Sequence, residues 1–115
     1  MTIDRKDGVL VARLDARYDA FHEAETARFE EQLSGAVANE DRPRLVLDMG
    51  RTEYISSATI ETLFRVWRKM QQHGEAKMVL AATTPFCREI VTTARLNDLW
   101  PLYDDVDAAV AAVKS

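Results

Sequence analysis

Apolar positions along the chain alternate between two spacings, one suited to strands and one to helices. Residues 2–6 and 9–14 flank Asp7-Gly8, and an Asp-Gly pair between strand-like runs predicts a tight hairpin. Polar density then rises, and Phe29, Leu33, Ala36 and Val37 recur at i, i+4, i+7 and i+8, which predicts a helix over about Phe21 to Val37 with Asp19 as its N-cap. Arg44 to Met49 is a short apolar run bounded by Pro43 and Gly50 and reads as a buried strand. The strongest helical stripe follows: Ile60, Leu63, Phe64, Trp67 and Met70 lie on one face, with Glu61, Arg65, Arg68, Lys69 and Gln72 on the other. That helix is expected to start near Ser56-Ser57 and to stop before His73-Gly74, with Gly74 as the left-handed closing residue.

Lys77 to Ala82 reads as another strand. Thr84-Pro85 then supplies an N-cap and a first-position proline for a helix whose inward stripe is Cys87, Ile90, Val91 and Ala94. A short apolar stretch at Leu99 to Tyr103 precedes a last helix from about Asp105, with Val106, Ala109, Val110 and Val113 inward. This order predicts an α/β fold: a mixed sheet opened by an antiparallel hairpin, then two consecutive strand-helix-strand crossovers, with about five strands and four helices in all. No repeat or linker divides the chain, and residues 1–115 are expected to form one domain. Sheets of this kind meet ligands and partners at the carboxyl ends of their parallel strands, which directs attention to Met49 to Thr59.

Composition narrows the chemistry. The chain has 115 residues, with 15 Lys+Arg against 19 Asp+Glu and a formal net charge of −4. Nucleic-acid binding, which needs a clustered basic face, is not expected. Four scattered glycines form neither a GxGxxG turn nor a P-loop, so nucleotide chemistry by those routes is not expected, and no cofactor is assigned. With two histidines and one cysteine, no metal site is assigned. Cys87 can form no internal disulfide, and as part of a helical stripe it reads as a small buried hydrophobe. His22 and His73 read as solvated. No apolar run approaches the ~20 residues that span a bilayer, and the start MTIDRKDG lacks signal-peptide character, so a cytoplasmic location without membrane insertion is expected. A serine hydrolase is not expected either, because residues 55–59 (ISSAT) contain no GxSxG elbow.

Residues 45–64, LVLDMGRTEYISSATIETLF, carry the main signal. An LVLD strand, a loop with an aromatic residue and a Ser-Ser turn opening a helix resemble the core motif of the STAS domain family, whose turn reads Asp-Ser-Ser-Gly or Ser-Ser-Ala-Gly. The resemblance extends along nearly the whole chain. Arg13-Leu14-Asp15 is similar to the family's second-strand pattern, residues 74–80 (GEAKMVL) to its later strand, and residues 96–99 (LNDL) to the linker before its last strand.

The resemblance implies a non-enzymatic regulator, an anti-sigma factor antagonist switched by phosphorylation. The phosphorylated serine falls on Ser57. Its modifier would be a serine kinase that is also the anti-sigma factor, and a metal-dependent serine phosphatase would reset it. A phosphate adds about −1.5 to −2 charges, which a helix N-terminus tolerates within the fold but an apolar or acidic partner surface does not. Arg51, Glu53, Ser56, Ala58, Thr59 and Glu61 are the expected partner contacts; the acidic residues Asp15, Asp19, Glu53 and Glu61 read as a solvated rim, with a place near the switch as the alternative. Two positions depart from the pattern: Ser56 stands where Asp is common, and Thr59 where the family has glycine. A branched side chain at Thr59 is expected where a partner's backbone would approach, and it brings a second hydroxyl. Of the two serines, Ser56 is expected to cap the helix, while an unmodified Ser57 cap remains the alternative for that residue. Two other readings keep the fold: a cytoplasmic STAS subunit of an ABC-type lipid transporter, and a scaffold module with no phospho-switch.

Overall fold

Both residues of the Asp7-Gly8 turn adopt left-handed conformations, with φ of 54° and 81°. Positive φ at both positions matches the right-handed twist of the flanking strands, here β1 (Thr2–Lys6) and β2 (Val9–Arg13), which pair antiparallel. The computed structural model describes residues 1–15, 17–18 and 23–114. Three helices and two further main strands follow the hairpin: α1 (Glu23–Ala38), β4 (Arg44–Asp48), α2 (Ser57–Gln71), β6 (Lys77–Ala81) and α3 (Pro85–Thr93). After a 3-10 turn at Leu96–Asp98 come β7 (Leu102–Tyr103) and α4 (Val106–Val113). The expected cap Asp19, and with it Phe21 and His22, lie outside the described residues.

The main sheet has the order β1-β2-β4-β6-β7, parallel except at the hairpin. Three strand-helix-strand crossovers build it rather than two, because β2 is both the return strand of the hairpin and the first strand of a crossover. A second, two-stranded sheet pairs β3 (Arg17–Tyr18) with β5 (Tyr54–Ile55) in parallel. Sequence pattern did not reveal this pair, since two residues are too few to show alternation.

Strand residues alternate between two cores. Leu10, Leu45, Leu47, Met78 and Leu80 join Phe29, Leu33 and Val37 of α1, Leu63 and Met70 of α2, and Cys87 and Val91 of α3. On the opposite face Val9, Val11, Val46 and Val79 pack with Ala109, Val110 and Val113 of α4. Burial on both faces is the usual condition of a parallel sheet and explains the continuous apolar runs of β4 and β6.

Helix α2 is turned about its axis relative to the expected face. Its buried residues are Thr59, Thr62, Leu63, Val66 and Met70, whereas Ile60, Phe64 and Trp67 are half-buried at the margin of the same core. Burying the threonines is tolerable because the Thr62 hydroxyl donates to the Ala58 carbonyl at 3.1 Å and Thr59 Oγ1 lies 3.3 Å from Ser56 Oγ. Phe64 uses its marginal position to meet the fully buried Trp100, with ring centroids 4.9 Å apart. In α3, Cys87 and Val91 are buried as expected, but Ala94 is the exposed C-cap. Gly74, with φ of 94°, sits in the left-handed region just beyond α2, and Asp105 caps α4 by accepting from the Ala108 amide at 2.7 Å.

Candidate functional site at the start of helix α2

The loop between β4 and β5 begins at Asp48, the last residue of β4. Its Oδ1 accepts from the Gly50 amide at 3.0 Å and its Oδ2 from Arg13 Nε at 3.2 Å, while its carbonyl accepts from the Leu14 amide at 3.0 Å. The Met49 amide donates to the Ala81 carbonyl at 2.9 Å, extending the β4–β6 ladder by one residue. The loop therefore leaves the sheet from a fixed point.

Thr52 holds it down. The residue is fully buried, and its hydroxyl donates to the Asp15 carbonyl at 2.9 Å. Its own carbonyl accepts from Thr84 Oγ1 at 2.9 Å and from Cys87 Sγ at 3.4 Å, so one residue joins the end of β2 to the start of α3. Thr84 is the N-cap residue of α3, but its hydroxyl is spent on Thr52 and makes no cap bond; Pro85 does occupy the first turn as expected. Burial pushes the Cys87 thiol above its ordinary pKa, an effect partly opposed by a hydrogen bond with Thr84. The role of Thr52 was not legible in the sequence, because its partners lie 37, 32 and 35 residues away.

Flanking this buried anchor, Arg51 and Glu53 both project into solvent. Tyr54 and Ile55 then form β5, Ile55 buried and Tyr54 half-buried, and the chain enters α2 at Ser56. Ser56 has extended backbone (φ −93°, ψ 168°) and its hydroxyl accepts from the Thr59 amide at 3.3 Å, which makes it the N-cap. Ser57 is the first residue of the helix and is exposed, as is Ala58. No acidic side chain stands in the first turn of α2. Glu61 is exposed on the next turn, and Ser56 is half-buried.

Thr59 corrects the expectation of an outward side chain at the family's glycine position. It is fully buried against the core, and its hydroxyl faces that of Ser56. The expected contacts thus divide: Arg51, Glu53, Ala58 and Glu61 share solvent exposure with Ser57, Ser56 supports the turn, and Thr59 lies beneath it. Of the acidic groups, Asp15 adjoins the loop through its main chain, and Asp19 lies outside the described residues. Among the described residues no cluster of three or more His, Cys, Asp or Glu side chains could hold a metal ion, and no helix is long and apolar enough to cross a membrane.

A parallel-rich sheet with this hairpin, and a capped serine turn at the carboxyl end of its central strand, define a STAS-type domain. The STAS domain family model matches residues 1–109. A Bordetella bronchiseptica protein named "Putative anti-sigma factor antagonist BtrV" is 31% identical over 115 residues, covering 100% of this chain and 95% of the relative. The chain belongs to the STAS domain family. Among solved structures, an anti-sigma-factor antagonist (STAS) domain protein from Planctomyces limnophilus superposes with a TM-score of 0.84 at 20% identity, covering 99% of this chain and 97% of that one. The Bacillus cell fate determinant SpoIIAA in its phosphorylated form gives 0.69 at 12% identity, covering 96% and 97%.

Proposed function

We propose that this protein is an anti-sigma factor antagonist, a non-enzymatic cytoplasmic regulator in which residues 1–115 form one STAS domain. It binds a serine kinase/anti-sigma factor through Arg51, Glu53, Ala58 and Glu61 around Ser57, and phosphorylation of Ser57 by that partner releases it. A metal-dependent serine phosphatase restores the binding form. The observation that carries this reading is the division of labour between adjacent serines. Ser56 makes the cap bond and Ser57 stands exposed beside it, so Ser57 can be modified without removing a group the helix needs. A phosphate there meets helix amides and no acidic neighbour in the first turn, so the fold tolerates it while a docked surface does not. The BtrV relative, by its name, supports the antagonist class.

The test mixes the purified protein with such a kinase/anti-sigma factor and ATP, and maps phosphate by mass spectrometry. A complex formed by the unmodified protein and lost on stoichiometric modification of Ser57 is expected. Phosphate placed elsewhere, or a complex indifferent to Ser57→Asp, would overturn the switch.

A further inference from the structure

Among the described residues the largest exposed apolar side chain is Phe86, with 51% of its surface accessible, and it lies on the first turn of α3. Its ring stacks on Tyr54, centroids 5.7 Å apart and planes at 25°, and Tyr54 is two residues before the Ser56 cap. Beside it, Phe86, Glu89, Ile90, Thr93 and Ala94 line an open groove of about 430 Å³. Thr84 and Cys87, on either side of Pro85-Phe86, both bond the Thr52 carbonyl, so α3 and the loop carrying Arg51 and Glu53 are held as one surface.

From this continuity we infer that the groove is the apolar half of the partner interface. It takes an aliphatic or aromatic side chain of the same kinase/anti-sigma factor that covers Ser57, with Phe86 as the anchor. The inference rests on the function proposed above and adds to it where the binding energy comes from. The loop around Ser57 offers charges and small side chains (Arg51, Glu53, Ala58, Glu61), which set specificity and encounter rate more than affinity. Interface energy concentrates in a few apolar or aromatic anchors seated in pockets, ringed by weaker polar contacts. Phe86 and the groove supply such a centre, and the exposed charges around Ser57 form its rim. Glu89 is the charged group lining the groove among the described residues, so a basic residue beside the partner's apolar knob completes the fit. The placement also explains how a charge at Ser57 would break a contact dominated by apolar burial, since a rigid partner seated on Phe86 brings its surface over the start of α2 and must desolvate the phosphate.

Binding of the serine kinase/anti-sigma factor is measured by calorimetry for the wild type, Phe86→Ala, Ser57→Asp and Leu99→Ala. The last removes another exposed apolar side chain, one that lines a different groove. Phe86→Ala is expected to weaken binding at least tenfold, with an unchanged thermal melt, and Leu99→Ala to leave it unchanged. In a titration of the wild type followed by amide resonances, Phe86, Glu89 and Ile90 are expected to shift together with Ser57 and Ala58. Wild-type binding that is lost in Ser57→Asp but kept in Phe86→Ala, with shifts confined to the start of α2, would overturn the groove and leave the switch standing. A wild type that does not bind overturns both.

Discussion

The Thr59 amide donates to Ser56 Oγ at 3.3 Å, and the Thr59 hydroxyl lies 3.3 Å from the same oxygen. Ser56 therefore satisfies a helix-end amide and a buried hydroxyl at once, while Ser57 next to it stays exposed. The adjacent serines should respond very differently to truncation. Ser56→Ala is expected to cost about 0.5–2 kcal/mol, the usual worth of an N-cap, toward the upper end because Thr59 also loses a neighbour. Ser57→Ala should change stability by less than about 0.5 kcal/mol. Urea denaturation of the two variants checks this, and equal losses would contradict the assignment of the cap.

Ser57→Asp separates folding from binding. A carboxylate in the first turn of a helix is favoured by the helix dipole, by about 0.3–1 kcal/mol at low ionic strength, and Glu61, exposed four residues on along the same face, offsets about 0.2–0.5 kcal/mol of it. The variant is expected to melt at or slightly above the wild-type temperature, with the gain shrinking as salt is added, while failing to bind the kinase/anti-sigma factor.

Restoring the family's glycine should destabilise this chain. Thr59 is fully buried within α2, so Thr59→Gly loses its packing and adds the helix cost of glycine, roughly 1 kcal/mol relative to alanine; a total loss of about 1–3 kcal/mol is expected. Chemical denaturation measures it. A neutral or stabilising substitution would mean that the side chain does not pack as described.

Cys87 should be slow to react and should set an alkaline limit on stability. Burial raises the thiol pKa in the folded state, so the native protein binds the proton more tightly than the unfolded chain. This contribution is present in full below the thiol's ordinary pKa and is lost as pH rises from there through the raised native value. Labelling by a thiol reagent at pH 8 is expected to be much slower in native protein than in urea, and the unfolding free energy to fall more steeply on the alkaline side than it does in Cys87→Ala. Rapid native labelling would contradict the burial.

Close approach at the mouth of the site predicts sensitivity at Gly50. A Cβ added there would stand 3.2 Å from Asp48 Oδ1 and 3.5 Å from Ala82 Cβ. The Asp48 carboxylate that would have to move also accepts from the Gly50 amide and from Arg13. Gly50→Ala is expected to lower the thermal midpoint by a few degrees, about 1 kcal/mol, and to weaken partner binding by displacing Arg51.

The local code of the chain was sufficient for a good part of this protein. The hairpin at Asp7-Gly8, the Ser56, Pro85, Gly74 and Asp105 punctuation, the buried strands of β4 and β6 and the serine turn that marks the STAS family were all legible. Each depends on backbone preferences and periodicities confined to a few neighbouring residues. Tertiary structure alone decided the rest. Arg17–Tyr18 and Tyr54–Ile55 become strands only because the fold brings them side by side, since two residues have no periodicity of their own. Helix α2 turned to bury Thr59 and Thr62 and to leave Phe64 and Trp67 at the margin, because an amphipathic stripe fixes which residues can face inward but neighbouring surfaces fix the angle of rotation. Thr52 and Phe86 gained their positions from contacts more than 30 residues away along the chain. Such long-range contacts depend on how the elements pack, and no local pattern in the sequence encodes them.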